Sequence, residues 1–198
     1  MRDKFYGDNR DLVKWGVLLE LSDQFNCKQI LQVLYYRPES IVIDGRLLRL
    51  RSEVVAHFRD VTSIAMLKSR VEIKLLKDEF RDREAYLESI KASIRALGEG
   101  PAIVFLDPDT GIEPESGNYD ETHVLAVEAI EIWKSLRLGD VLVLYQHQDN
   151  RAGREWVQRK RVQFANALRI EGPQSRHVKL ANAPDIAKDV AFYFVRKN

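Results

Sequence analysis

Apolar and polar positions alternate in blocks along the chain, and the period of each block predicts an element. Leu12, Val13, Gly16, Val17, Leu19, Leu21 and Phe25 fall largely on one side of a helix over about Asn9–Phe25, with Asp8 or Asn9 as its cap. The run from Gln29 to Tyr36 reads as a short buried strand that ends before Pro38. In SIVIDGRLLRL, Asp44-Gly45 lies between two apolar runs and signals a hairpin. Helical spacing is expected over about Ser52–Arg70 and a strand over Val71–Leu76. Arg81–Leu97 is an amphipathic helix closed by Gly98 and Gly100. AIVFL (102–106) and VLVLY (141–145) are near-continuous apolar runs, as expected of strands covered on both faces. Between them lie a polar loop through Tyr119 and a helix over Thr122–Leu136, spaced by Val124, Val127, Ile130 and Trp133. A basic helix follows over Arg154–Ile170, and HVKL (177–180) and VAFYFV (190–195) are the last two strands.

Strand–helix alternation implies a parallel sheet with helices on both faces, an α/β three-layer Rossmann-like arrangement. Only ANAPDIAKD separates the last two strands, too little for a crossover helix, so they should be antiparallel neighbours. With 198 residues and no convincing linker, one domain over 1–198 is expected, with a small insertion around 38–70.

Composition narrows the chemistry. The net charge is only +1 with 31% charged residues, which argues against a strongly basic coat protein but leaves room for a local basic face. Cys27 is the single cysteine, so neither an internal disulfide nor a cysteine zinc site can form. The charged start MRDKFYGDNRD lacks a signal-peptide core, and no apolar run approaches bilayer length. A cytoplasmic location and no membrane partner are the expectations.

In open α/β sheets, ligands bind beyond the carboxyl ends of strands. AIVFLDPDTGIEP places Asp107 at such an end, with Pro108 stiffening the turn and Gly111 letting the chain reverse. Asp107 and Asp109 can bind a divalent cation, accept hydrogen bonds from an amine or act as a base, or they can simply cap a turn. GDVLVLYQHQDNR delivers Tyr145, Gln146, His147, Gln148, Asp149 and Asn150 to the same edge. His147 is the best-placed acid, base or ligand of the four histidines, against the alternative of a surface loop histidine. His57, His123 and His177 read as structural or exposed. Arg151, Arg154, Arg159, Lys160 and Arg161, with Trp156 among them, form a cluster that can track nucleic-acid phosphates. The alternative is a solvated helix face with Trp156 in the core. Glu113, Glu115, Asp120 and Glu121 either extend a metal site from Asp107 and Asp109 or form a solvated loop.

Two motifs carry a resemblance. Tyr6-Gly7-Asp8-Asn9-Arg10-Asp11-Leu12-Val13-Lys14-Trp15 resembles the Gly-Asn-x-x-Asp-Val-x-Lys-His run of the ribosomal RNA adenine-N6 methyltransferases. Gly7, Asp11 and Lys14 match it, while Asp8 and Trp15 replace the asparagine and the histidine. Asp107-Pro108 falls where that family has Asp-Pro-Pro-Tyr, which holds the target amine and stacks on the base. The closing antiparallel hairpin is likewise similar to class I methyltransferases. The resemblance implies a S-adenosylmethionine-dependent enzyme acting on nucleic acid, with Gly7, Asp11 and Lys14 at the cofactor and Asp107 on the amine. Two departures stand out. The stacking aromatic is replaced in Asp107-Pro108-Asp109-Thr110, and Leu34-Tyr35-Tyr36-Arg37-Pro38-Glu39 has no glycine where the family's cofactor loop needs several. The bulky Tyr35, Tyr36 and Arg37 are expected to hinder the cofactor, leaving the planar fork of Arg37 to meet a phosphate or carboxylate in the vacated pocket. Two alternatives remain: a metal-dependent nuclease or hydrolase using Asp107, Asp109 and His147, and a non-catalytic module binding nucleic acid or protein.

Overall fold

The computed structural model describes residues 6–37, 40–43, 46–49, 60–67, 69–148, 155–170 and 172–198. Helix α1 spans Asn9–Gln24, capped by the Asp8 carboxylate, which accepts from the Arg10 and Asp11 amides. Strand β1 is Gln29–Val33, and β2 (Ser40–Ile43) pairs antiparallel with β3 (Arg46–Arg49). The strands of the expected hairpin therefore form, while its Asp44-Gly45 turn lies outside the described residues. A 3-10 helix over Val61–Met66 precedes β4, Glu72–Leu76. The helix expected over Ser52–Arg70 lies partly outside the described residues, and its described part is this 3-10 turn. Helix α2 is Arg83–Arg95 and β5 is Ala102–Leu106. The short strands β6 (Gly111–Ile112) and β7 (His123–Val124) pair in parallel. Helix α3 is Ala126–Ser135, β8 is Val141–His147, α4 is Trp156–Ala167, β9 is Lys179–Ala181 and β10 is Val190–Arg196.

Six of these strands make one sheet in the order β4-β1-β5-β8-β10-β9. Strands β4, β1, β5 and β8 are parallel, and β10 runs against both β8 and β9. This is the expected Rossmann-like sheet of class I methyltransferase type, with the closing hairpin partly intercalated: β10 takes the inner place and β9 the edge.

Side chains alternate across the sheet with period two. Ile30, Ile103, Phe105, Val143, Tyr145 and Phe192 pack with Val13, Trp15, Leu18 and Leu21 of α1. Leu31, Val104, Leu106, Leu144 and Tyr193 pack with Ile90, Ile94, Ala129, Ile132 and Phe164 of α2, α3 and α4. Two apolar cores therefore sandwich the sheet.

Helix phase was harder to read than strand position. Leu12, expected on the inner face of α1, is 68% exposed, while Asp11 and Lys14 are buried. The helix expected from Thr122 starts four residues later, because Val124 belongs to β7. Its start is fixed by two carboxylates: Glu128 accepts the Leu125 amide and Glu113 accepts the Ala126 amide, each at 2.8 Å. The shift exposes Val127 and buries Ala129 and Ile132.

Candidate active site

Strands β1, β4 and β5 end level, since Val33 is in register with both Leu76 and Leu106. The chain leaves β1 toward β4 and leaves β5 toward β8, on opposite sides. The β1–β5 crevice is thus a topological switch point, where open α/β sheets place their ligands. A cavity of about 320 Å³ lies there, lined by Asp8, Arg10, Asp11, Lys14, Arg37, Asp107–Asp109, Thr122, Tyr145 and His147. Sequence parity explains the convergence. Leu106 faces the α2–α4 side, so Asp107 turns to the α1 side. Tyr145 and His147 alternate onto that same side along β8.

Lys14 is the hub. Its Nζ donates to Asp11 Oδ1 at 2.7 Å and to Asp107 Oδ2 at 2.9 Å, and all three side chains are buried. Gln32, in the same side-facing phase of β1 as Ile30, donates to Asp107 Oδ2 at 2.6 Å. The Gly7 amide donates to Asp11 Oδ2 at 2.7 Å, from a left-handed turn with φ of 81°. Burial disfavours the Lys14 ammonium, but Asp107 and Asp11 outweigh it and hold its pKa above the ordinary value. Burial pushes the Asp107 carboxyl up by more than Lys14 draws it down. Among the described residues both hydrogen bonds to Asp107 land on Oδ2, leaving Oδ1 for the cavity.

Asp109 is paired with the Arg37 guanidinium. Burial raises its carboxyl, but Arg37 beside it contributes to holding it below the ordinary carboxylate range. His147 Nε2 lies 3.1 Å from Asp189 Oδ2, and its Nδ1 lies 3.0 Å from the Gln148 carbonyl. Both ring nitrogens thus face oxygen acceptors. Arg10 also binds Asp189, through Nε at 3.2 Å, and closes the rim.

The structure thus brings Asp11, Lys14, Asp107, Asp109 and His147 to one cavity, with Gly7 holding Asp11 from behind. Sequence reading missed Arg10, Gln32, Gln146 as a brace and Asp189, while Arg37, expected to meet a phosphate or carboxylate in the pocket, lines the cavity and meets the Asp109 carboxylate. Gln32 had a signal: it is the inward-facing polar residue in an otherwise apolar stretch of strand. Gln146 faces away from the cavity and ties its loop down, donating to the carbonyls of Thr110 and His147 and accepting the Ile112 amide.

Each donor named for a metal has a protein partner here. Asp107 is engaged by Lys14, Asp109 by Arg37 and His147 by Asp189, and no group of three or more such donors gathers among the described residues. The nearby acids serve the loop instead: Glu113 caps α3, and Asp120 accepts the Thr122 amide at 2.8 Å and lies 2.8 Å from His123 Nδ1. His177 is exposed, and His57 lies outside the described residues. In the basic cluster, Lys160 is only 4% exposed and binds the Gln163 side chain, so it does not present a surface charge. Trp156 is in the core, and Arg151 and Arg154, like Asp149 and Asn150, lie outside the described residues.

S-adenosylmethionine needs an open approach to the backbone after β1, and this chain closes it. The Leu34 amide donates to the Leu76 carbonyl at 3.4 Å, Tyr36 bridges Glu79, and the Phe80 amide donates to the Tyr36 carbonyl at 2.9 Å. The segments following β1 and β4 are therefore zipped together beyond the sheet. Tyr35 takes the left-handed conformation (φ 47°) that glycine usually supplies, yet its ring turns into the core, 5.3 Å from both Phe80 and Tyr86. Tyr36 packs with Leu34 and Val61, under Lys77. This corrects the expectation that three bulky side chains crowd the cofactor: only Arg37 enters the cavity, and the two tyrosines belong to the closed seam. These residues do not fit S-adenosylmethionine as the resembled family holds it. Calorimetric titration is expected to give a dissociation constant of about a millimolar or weaker, and micromolar affinity would contradict the closed seam.

No protein-family model matches the chain, and no curated protein matches it. Its fold is similar to two solved structures. One is a DUF574 family protein from Streptomyces avermitilis MA-4680, at 13% identity and TM-score 0.46, covering 96% of this chain and 82% of that one. The other is a candidate methyltransferase from Thermobifida fusca YX, at 14% identity and TM-score 0.45, covering 96% of this chain and 80% of that one.

Proposed function

We propose that this chain is a methyltransferase-like protein that recognises an amine-bearing nucleic-acid base, with Asp107 as the acceptor for the exocyclic amine. The observation that carries the reading is the buried Asp107, fixed through Oδ2 by Lys14 and Gln32 at the switch point of the sheet. A carboxylate whose pKa is raised by burial is a stronger acceptor than one in water, and an N–H donor replaces the solvent it has lost. Pro108 and the Tyr145 ring line the same cavity and offer apolar walls for a planar base. Lys14 and Gln32 position the carboxylate, and Asp11 holds Lys14 in turn. No methyl-transfer step is assigned, because the closed seam after β1 does not accommodate the cofactor.

Titration with adenosine tests the role of Asp107. The Asp107→Asn variant replaces one acceptor oxygen by a donor, so it is expected to bind adenosine at least about tenfold more weakly than the parent chain. Its thermal unfolding is measured alongside, to show that the cavity is still formed. Equal affinity in a folded variant sinks the reading.

A further inference from the structure

We infer that Arg37 is an anion-binding residue and that the ligand is a phosphorylated nucleotide, its base amine at Asp107 and its phosphate at Arg37. The inference rests on the reading of Asp107 given above.

Arg37 is carried on the turn that leaves β1, and it lines the same cavity as Asp107. Its side chain is 13% exposed, so the charge is held inside the protein rather than in solvent. Three features mark it as more than a structural ion pair. Its Nε is buried and makes no hydrogen bond with any described residue, an orphan donor of the kind that buried sites rarely leave unused. One Nη is taken by Asp109, while the other lies 3.6 Å from Glu121, whose side chain is 70% exposed. The guanidinium is a planar fork suited to two phosphate oxygens at once, and here part of that fork is loosely used. Asp109, two residues from Asp107 on the same loop, is an internal carboxylate seated where a ligand's anion would bind. A phosphate on Arg37 displaces it toward solvent and supplies an acceptor for Nε.

The test uses three variants and separable probes. Inorganic phosphate reports on Arg37 alone. It is expected to bind Asp109→Asn about tenfold more tightly than the parent chain, because the competing charge is gone, and Arg37→Ala not measurably. Arg37→Lys keeps the charge without the fork and should fall between, with melting curves confirming that each variant is folded. Adenosine 5′-monophosphate should bind the parent chain more tightly than adenosine does, and Arg37→Ala should erase that difference. If the gain appears only with a short adenine-containing single strand, the phosphate is a backbone diester. Phosphate binding that survives in Arg37→Ala, or no gain from either phosphorylated probe, overturns the inference. Failure of the Asp107 reading looks different: adenosine affinity would then ignore Asp107→Asn while phosphate binding still followed Arg37.

Discussion

Replacing Lys14 with methionine is expected to destabilise the protein by about 3–5 kcal/mol, the usual cost of stranding buried charge. For a chain of this length that corresponds to a fall in Tm of about 6–20 °C. Methionine fills most of the space, so the loss is electrostatic: Asp11 and Asp107 would remain as two buried carboxylates without their shared cation. Adding Asp107→Asn to Lys14→Met removes one of those charges and should recover part of the loss, a coupling that a double-mutant cycle reads directly. A pH signature accompanies it. The pKa of Lys14 is raised in the folded state, so its contribution is fully present below the ordinary lysine value and is lost as pH rises through the folded value. The parent chain should therefore lose stability on the alkaline side relative to Lys14→Met. If the two denaturation curves are parallel across that range, Lys14 is not the hub described here.

Gly111→Ala is expected to cost about 3–5 kcal/mol and to dismantle the Asp107–Ile112 loop. Gly111 has φ of 128°, where a side chain is strained, and a Cβ there would lie 2.3 Å from the Gln146 Oε1. Gln146 cannot yield without releasing its bonds to Thr110, Ile112 and His147. Adding Gln146→Ala opens the space but leaves the strain and the lost hydrogen bonds, so it should not restore the parent stability. Urea unfolding of the single and double variants checks this. A Gly111→Ala variant within 1 kcal/mol of the parent, taken as about the scale of an ordinary substitution, would show the loop to be more plastic than this packing allows.

The sheet was legible because its central strands are buried on both faces, and continuous runs such as AIVFL and VLVLY leave few other readings. The amphipathic helices were legible in existence but not in phase. Leu12 and Val127 sit outward because buried polar residues, Asp11 and Lys14 in α1 and Glu128 in α3, occupy inner positions that hydrophobicity alone assigns to solvent. Asp107 could be found from its place after an apolar strand. Lys14 could be found only through a motif resemblance, since a lysine on a helix ordinarily reads as solvated. Arg37 could be placed in the pocket opposite an anion, but its partner Asp109, 72 positions away, and the Arg10–Asp189 contact across 179 positions are recorded by no local pattern. The closed seam was half legible. The missing glycines could be seen, but not that the segments after β1 and β4 zip together and turn Tyr35 into the core.

The most direct test of Asp107 as acceptor for an exocyclic amine leaves the protein untouched and alters the ligand. Calorimetric titration of the parent chain with adenosine and with purine riboside, which lacks only the amine, compares the two in one cavity. Adenosine is expected to bind at least about tenfold more tightly, the worth of a hydrogen bond to a buried carboxylate. Equal affinities, or no binding of adenosine at all, would show that Asp107 does not hold the amine.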